Sequence, residues 1–317
     1  MDIARNLTQS KMRRKKKFKA REGFILFLLS SPFILHTFIF SYVPLFGWSY
    51  AFFEFRAGLR LFDTPFVGFA HFTSMFDNPI VRADVLRVMR NTLAISLLGI
   101  AGSWLPMFFA IFLAELGRGY RRVVQTLSTI PHFISWVLVF SLAFAMFSTE
   151  GFLNSVLLQW GLTDTPTNFL LTTGRNIWVQ MWFYGVWKSL GWSAILYIAS
   201  ISSIDAELYE ASDIDGASRG QRIWYITVPC LLPTFFVLLL LSIANLINNG
   251  MDQFFVFQNA MNREFIEVLD LYVFNRGIAG PNISFATAVG MLRSVISIFL
   301  LFIANFGSKM LRGESIF

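Results

Sequence analysis

Six apolar stretches dominate this sequence, and each is long enough to cross a bilayer as a helix. A spanning helix needs about 20 residues. The stretches run over 24–50, 92–116, 123–147, 177–204, 230–249 and 285–306. In hydrocarbon every backbone N–H and C=O must find a partner within the protein, and a helix supplies those partners inside one segment. The expected fold is therefore all-α: a polytopic membrane protein with six transmembrane helices in one domain. Composition agrees. Charged residues make up only 14% of the 317, against about 25% in a soluble domain, and mean hydropathy is +0.58. These values exclude a disordered chain and argue against a soluble globular one. The first stretch is too long for a signal peptide, and five more follow it, so it is expected to remain as a span.

Lys and Arg in the connecting segments set the expected orientation, because they favour the cytoplasmic side. Residues 1–22 carry nine of them: Arg5, Lys11, Arg13, Arg14, Lys15, Lys16, Lys17, Lys19 and Arg21. The same side receives Arg118, Arg121 and Arg122, then Arg219 and Arg222, then Lys309 and Arg312. The opposite side has half as many: Arg56, Arg60, Arg82, Arg87, Arg90, Arg175, Arg263 and Arg276. Both termini are expected in the cytoplasm. The outer arginines before the second span oppose this bias, and 79–90 is expected to form an interfacial helix leading into that span. The chain divides into a basic segment 1–22, a membrane domain 23–306 with a cytoplasmic loop 205–228, and a tail 307–317. A basic run directly before a span anchors topology beside anionic lipid; no nucleic-acid partner is expected.

Several chemistries find no support. Cys230 is the only cysteine, so an intrachain disulfide is impossible. His36, His71 and His132 lie far apart without ligand spacing, and no metal site is expected. There is no G-x-x-x-x-G-K-[ST] phosphate loop, H-E-x-x-H, nucleophile elbow or dinucleotide fingerprint. The chain is not expected to be an enzyme or to bind a cofactor itself.

The strongest local signal lies between the fourth and fifth spans, in 205–229: Asp-Ala-Glu-Leu-Tyr-Glu-Ala-Ser-Asp-Ile-Asp-Gly-Ala-Ser-Arg-Gly-Gln-Arg-Ile-Trp-Tyr-Ile-Thr-Val-Pro. This polar segment is patterned as a helix. Asp205 is placed to cap its N-terminus and Glu207 sits in the first turn, where the helix dipole favours an anion. Gly216 is placed to end it. About ten residues give a rod of about 15 Å. Small Ala211 and Ser212 between Glu210 and Asp213 suit close approach to a basic partner cleft.

The spacing Glu210-Ala211-Ser212, then Gly216, Ile226 and Val228-Pro229 resembles the EAA signature of bacterial ABC-importer permeases. It departs at Ser212, where Ala is usual, and at Val228, where Leu is usual. The likeness extends along nearly the whole chain, to carbohydrate-importer permeases related to the maltose importer, especially the branch handling complex or oligomeric sugars. It is carried by Tyr42-Val43-Pro44 with Gly47, Asn91-Thr92, Gln125-Thr126 and Pro131-His132-Phe133-Ile134-Ser135-Trp136. Trp187-Lys188 with Gly191-Trp192, Asp252-Gln253, and Ala286-Thr287-Ala288 with Gly290 add to it. The resemblance implies that Glu210, Ala211, Ser212, Asp213 and Gly216 dock in a groove of a separate ATPase subunit, which would bind ATP and Mg. It implies a heterodimer with a second permease, two ATPase subunits, an extracytoplasmic solute-binding protein, and residence in the bacterial cytoplasmic (inner) membrane.

Polar residues within the spans mark the expected solute pathway, since each needs a partner or a wet cavity. Asn245, Asn248, Asn249, Asp252 and Gln253 cluster at the end of the fifth span, and amides offer both donors and acceptors to sugar hydroxyls. Trp182 and Tyr184 are candidates for stacking on sugar faces. Two cations lie within spans, Lys188 and Arg293. Lys188 has a structural reading within the family-like stretch. Arg293, with Lys188, is expected to give the pathway a positive field suited to an acidic oligosaccharide, as in an alginate-type importer. The competing class, an ion- or proton-coupled secondary carrier, would need acids within the spans; Glu115 is the only clear one, and it lies at a span end. The outer segments 148–175 and 251–284 are long enough to need structure of their own, with Glu264, Phe265 and Glu267 in a short helix.

Overall fold

The computed structural model describes residues 23–170, 174 and 176–312. The basic segment 1–22, Arg175 and residues 313–317 lie outside the described residues. The described chain is built from helices joined by turns, with one isolated antiparallel bridge between Phe53 and Phe66.

Helix α1 spans Gly23–Phe52, tightening from α-helical through a wide turn at Phe38–Tyr42 to a 3-10 stretch at Val43–Phe52. Helices α2 (Ala70–Asp77) and α3 (Pro79–Ala101) follow. The Asn78 side chain caps α3 by accepting the N–H groups of Ile80 and Val81 at 3.0 and 3.3 Å, with Pro79 in the first turn where its missing N–H costs nothing. The chain breaks at Gly102 and resumes as α4 (Leu105–Glu115). Next come α5 (Arg118–Phe133), α6 (Trp136–Phe147), α7 (Phe152–Gln159), α8 (Asn176–Ser202) and the short α9 (Ala206–Ile214). Helix α10 (Arg219–Ala244) carries a wide π turn at Ile223–Thr227, just before Pro229, whose ring cannot donate to the ladder. Helices α11 (Asp252–Phe257), α12 (Arg263–Ile266) and α13 (Leu269–Gly277) form the segment before the last helix, α14 (Ile283–Arg312).

Five helical stretches are long and apolar enough to cross a membrane: Gly23–Phe52, Pro79–Glu115, Trp136–Gln159, Arg219–Ala244 and Ile283–Gly307. Six were expected. The fourth expected span is α8, a continuous 27-residue helix that falls outside those five because Gln180, Lys188 and several serines dilute its apolar run. The third needs correction. Residues 123–147 do not form one helix: Ile134 and Ser135 are extended, and the Ser135 hydroxyl caps α6 by accepting the Leu138 N–H. Pro131 in the last turn of α5 removes a ladder donor just before the break. Helix α5 is strongly amphipathic, and the apolar segment is Trp136–Gln159. The fifth span also shifts. Its helix ends at Ala244, and Asn245, Asn248 and Asn249 lie in turns beyond it. Residues 79–90 are continuous with the second span inside α3.

Helix α8 is the axis. It packs against α4, α5, α3 and α10, while α14 packs against the 3-10 end of α1, α13 and α10. Three apolar clusters follow. One joins α6, α8 and the segment from α11 to α13 around Met181, Tyr184, Phe254 and Phe257. A second joins α1, α2, α3, α13 and α14 around Met75, Tyr272 and Ala288. The third joins α4, α8 and α10 around Ala110, Ala194, Tyr197 and Leu231.

The contact of α8 with α5 is unusually close. A methyl group at Gly191 would overlap the Ser128 carbonyl oxygen, so the two backbones meet directly. One turn away, the Lys188 ammonium donates to the carbonyls of Pro131, His132 and Ile134 at 3.0, 2.7 and 2.5 Å. It thereby gives the His132 and Ile134 carbonyls a donor where α5 ends, and adds to the Ile134 N–H already received by the Pro131 carbonyl. Trp192 stacks flat on His132 at 4.4 Å between ring centroids, and Lys188 lies 5.5 Å from the Trp136 ring. Lys188→Met keeps the stem but takes this donor from the half-buried His132 and Ile134 carbonyls, at about 1 kcal/mol for a lost hydrogen bond. We expect a lower melting temperature for the purified protein in detergent. Gly191→Ala must part the helices, costing about 1–3 kcal/mol, and should lower the melting temperature comparably; an unchanged value for either would refute this account of the seam.

Candidate functional site

Where α3, α4, α8, α10 and α11 converge, the chain forms an open cavity of about 880 Å³. Ser96 and Ser103 contribute from α3 and its break, Trp182, Ser189 and Ser193 from α8, Asn245, Asn248 and Asn249 from the turns after α10, and Gln253 from α11. None of its described wall residues is Lys, Arg, Asp or Glu.

The turns after α10 explain how three asparagines come together. Asn245 Nδ2 donates to the Leu241 carbonyl at 3.0 Å, closing the helix end. Asn248 Nδ2 donates to Asn245 Oδ1 at 3.3 Å and to Ser297 Oγ on α14 at 3.4 Å. Asn249 Nδ2 donates to Ser96 Oγ on α3 at 2.9 Å. Gly250 follows with φ +76°, in the left-handed region that favours glycine. Gln253 Nε2 donates to the Met181 carbonyl at 2.7 Å. Two wall residues have buried polar atoms without a hydrogen-bond partner, Asn249 Oδ1 and Trp182 Nε1. Trp182 leans on the α3–α4 break, where a Cβ on Gly102 would lie 2.8 Å from its ring.

Of the expected pathway residues, the structure brings Asn245, Asn248, Asn249, Gln253 and Trp182 to this wall, and not the other four. Tyr184 is 7% exposed, stacked on Phe257 at 5.0 Å, and its hydroxyl accepts from Gln180. Asp252 is exposed in the first turn of α11. The charge of Lys188 is absorbed by the carbonyls of α5, and Arg293 is ion-paired with Asp270. The positive field expected from these two cations is therefore met by local partners. Sequence reasoning missed Ser96, Gly102 and Asp270; only the glycine interrupting an apolar stretch was a usable signal.

The loop 205–229 folds as read from its residues. The Asp205 carboxylate accepts the Glu207 N–H at 3.0 Å, and Gly216, with φ +72°, ends the turn after α9. No residue of α9 is buried: Glu210, Ala211 and Asp213 are exposed and Ser212 half-buried. Two bonds brace α9 against the start of α10. Arg222 Nη1 pairs with Asp213 Oδ1 at 2.6 Å, and the Tyr209 hydroxyl lies 2.9 Å from that of Thr227 within the π turn.

On the opposite side, residues 251–284 are clamped to α3. The fully buried Glu267 carboxylate receives Arg87 Nη2 at 2.8 Å, Asn275 Nδ2 at 2.8 Å and Arg263 at 3.4 Å. Asn91 Nδ2 donates to the carbonyls of Glu264 and Glu267 at 2.9 and 3.1 Å. Glu264 and Phe265 sit in the short α12, while Glu267 lies just past its end.

Long apolar helices, a cavity without charged residues in its described wall and an exposed acidic helix mark a multi-pass membrane component. Residues 102–312 match the family model of binding-protein-dependent transport system inner membrane components, and the chain belongs to that family, as the permease component of an ABC transporter. Protein LplB of Bacillus subtilis is 35% identical over 92% of this chain and 91% of its own. The polygalacturonan/rhamnogalacturonan transport system permease protein YteP, also of Bacillus subtilis, is 33% identical over 92% and 90%. A crystal structure of a bacterial alginate ABC transporter, in complex with alginate pentasaccharide-bound periplasmic protein, contains a chain that is 29% identical. It superposes with a TM-score of 0.81 over 94% of this chain and 98% of that one.

Gly102→Ala should push the Trp182 indole off the α3–α4 break and into the cavity. Transport by the assembled complex is expected to fall several-fold with unchanged abundance in the membrane, measured as initial uptake rate against immunoblot signal. Full-rate uptake would show that the indole has room to adjust.

Proposed function

We propose that this chain is the permease subunit of an ATP-driven importer of oligosaccharides, crossing the membrane six times with both termini in the cytoplasm. The observation that carries the reading is the pairing of a neutral cavity, whose largely apolar wall carries a set of amides and hydroxyls, with the exposed, capped α9. Amides and hydroxyls offer donors and acceptors in the mixture a sugar presents. The relatives named for polygalacturonan and alginate support an oligomeric, acidic carbohydrate as cargo. The sixth span is α8, whose Ser189 and Ser193 line the cavity and whose Lys188 meets the end of α5.

In this reading Glu210, Ala211, Ser212, Asp213 and Gly216 meet a separate ATPase subunit, which binds ATP and Mg; two such ATPases and a second permease complete the assembly. A solute-binding protein delivers cargo on the far side, where residues 251–284 are held firm enough to be a docking platform. ATP binding and loaded receptor each favour one of two arrangements of the helices, and the cavity opens to each side in turn. Motion at α9 reaches α10 through the Arg222–Asp213 pair and the Tyr209–Thr227 contact.

The test is reconstitution with the candidate ATPase and partner permease in proteoliposomes, with ATP hydrolysis measured against a panel of loaded binding proteins. Glu210→Lys and Gly216→Val should each reduce receptor-stimulated ATP hydrolysis and uptake about tenfold, within the usual span of coupling energies. Gly216→Val acts by forcing a branched side chain into left-handed backbone. Uptake that survives ATP depletion but collapses with an uncoupler would sink the reading in favour of a secondary carrier.

A further inference from the structure

The pair formed by Arg293 of α14 and Asp270 of α13 has a third member. Asp270 Oδ1 pairs with Arg293 Nη1, and Asp270 Oδ2 accepts the backbone N–H of Gly250 at 2.8 Å. Gly250 closes the turn that carries Asn248 and Asn249 to the cavity wall. That turn has left its helix, so its amides are not held by a helical ladder. Its other ties reach Ser96 on α3 and Ser297 on α14, both through side-chain hydroxyls.

A half-buried ion pair adds little net stability over an apolar pair of similar size, because desolvation offsets attraction. Fixing a geometry is the better-attested use of such a pair. The Asp270 side chain is 13% exposed and that of Arg293 31%, and neither residue lines the cavity. An arginine within a spanning helix requires a partner, and here the partner's second oxygen is committed to the turn.

We propose that Arg293 and Asp270 are positioning residues: Arg293 orients the Asp270 carboxylate, which holds the Gly250 N–H and so sets Asn248 and Asn249 as neutral hydrogen-bonding groups in the cavity wall. The positive charge is neutralised within the chain, and this subunit's wall reads sugar hydroxyls rather than carboxylates. The inference rests on the oligosaccharide reading for its cargo, while the turn geometry stands apart from it.

Two measurements on the assembled transporter test it, using the single variant Arg293→Gln and the double variant Asp270→Leu/Arg293→Met, which leaves no unpaired charge. Hydrogen–deuterium exchange of the peptide covering 245–250 is independent of any cargo. It should be at least about tenfold faster in the double variant than in the wild type, and equal exchange would overturn the proposal. The apparent KM for uptake should rise about tenfold in both variants, equally for neutral and uronate oligosaccharides, with the maximal receptor-stimulated ATPase rate changed less than twofold; Arg293→Lys should restore most of the loss. Loss confined to uronates would show instead that Arg293 reads cargo charge. A double variant that fails to accumulate would assign the pair to folding and also overturn the proposal. If the wild-type complex takes up no oligosaccharide, the functional reading fails, and the exchange measurement alone decides the positioning role.

Discussion

The Lys188 ammonium at the end of α5 is the interaction on which the membrane core depends. It supplies a donor to the His132 and Ile134 carbonyls where the break at Ile134–Ser135 interrupts the helix, and it does so from α8, against which α3, α4, α5 and α10 pack. Gly191 brings the two backbones together one turn away, and Trp192 seals the seam on His132. Without that junction, the His132 and Ile134 carbonyls would lose this donor at the point where the chain leaves α5. The break also lets the chain change character. It leaves an amphipathic α5 on one side and, on the other, an α6 apolar at every position but Ser141.

Charge elsewhere follows the same economy. Glu267 is fully buried, yet Arg87, Arg263 and Asn275 meet it. Asp84 takes Arg276 at 2.5 Å and Arg87 at 3.3 Å. These groups tie the segment from α11 to α13 to the start of α3, where a run of outer arginines had looked like an exception to the orientation bias. Of that run Arg87 meets the carboxylates, while Arg82 donates to the Phe76 carbonyl and Arg90 lies over the Trp178 and Phe265 rings.

Much of this was legible in the residues, and the limits are physical. Asp205, Glu207 and Gly216 specify α9 through local rules of capping and backbone conformation, and such rules need no tertiary context. The paired stretches 131–136 and 187–192 were visible only as a likeness; their meaning is a contact between helices, which no single-segment pattern encodes. The third span was misplaced because residues 123–147 have enough apolar side chains for a span but distribute them on one face as far as Phe133. Arg293 was read as cargo-facing because its partner, Asp270, lies 23 positions earlier, in a short helix outside the spans. Ion pairing across that distance is set by packing, not by spacing.

Helix α10 joins the two ends of the mechanism. Its 26 residues measure about 39 Å at 1.5 Å per residue, somewhat more than the hydrocarbon core of a bilayer, about 30 Å. One end is braced to α9 through Asp213 and Tyr209; the other delivers the asparagine turn to the cavity. A helix is stiff along its axis, so displacement at one end must appear at the other unless something in between absorbs it. The π turn at Ile223–Thr227 is the local irregularity best able to do so, and there the Tyr209–Thr227 contact bridges it. That contact ties α9 to the last residue of the π turn, immediately before the regular helix resumes at Val228. The turn at the far end is tied to α3, α13 and α14, so a shift of α10 must either carry those helices with it or break their bonds to the amides. In the proposed importer, coupling and cargo contact are therefore two consequences of how one helix is fastened at its ends.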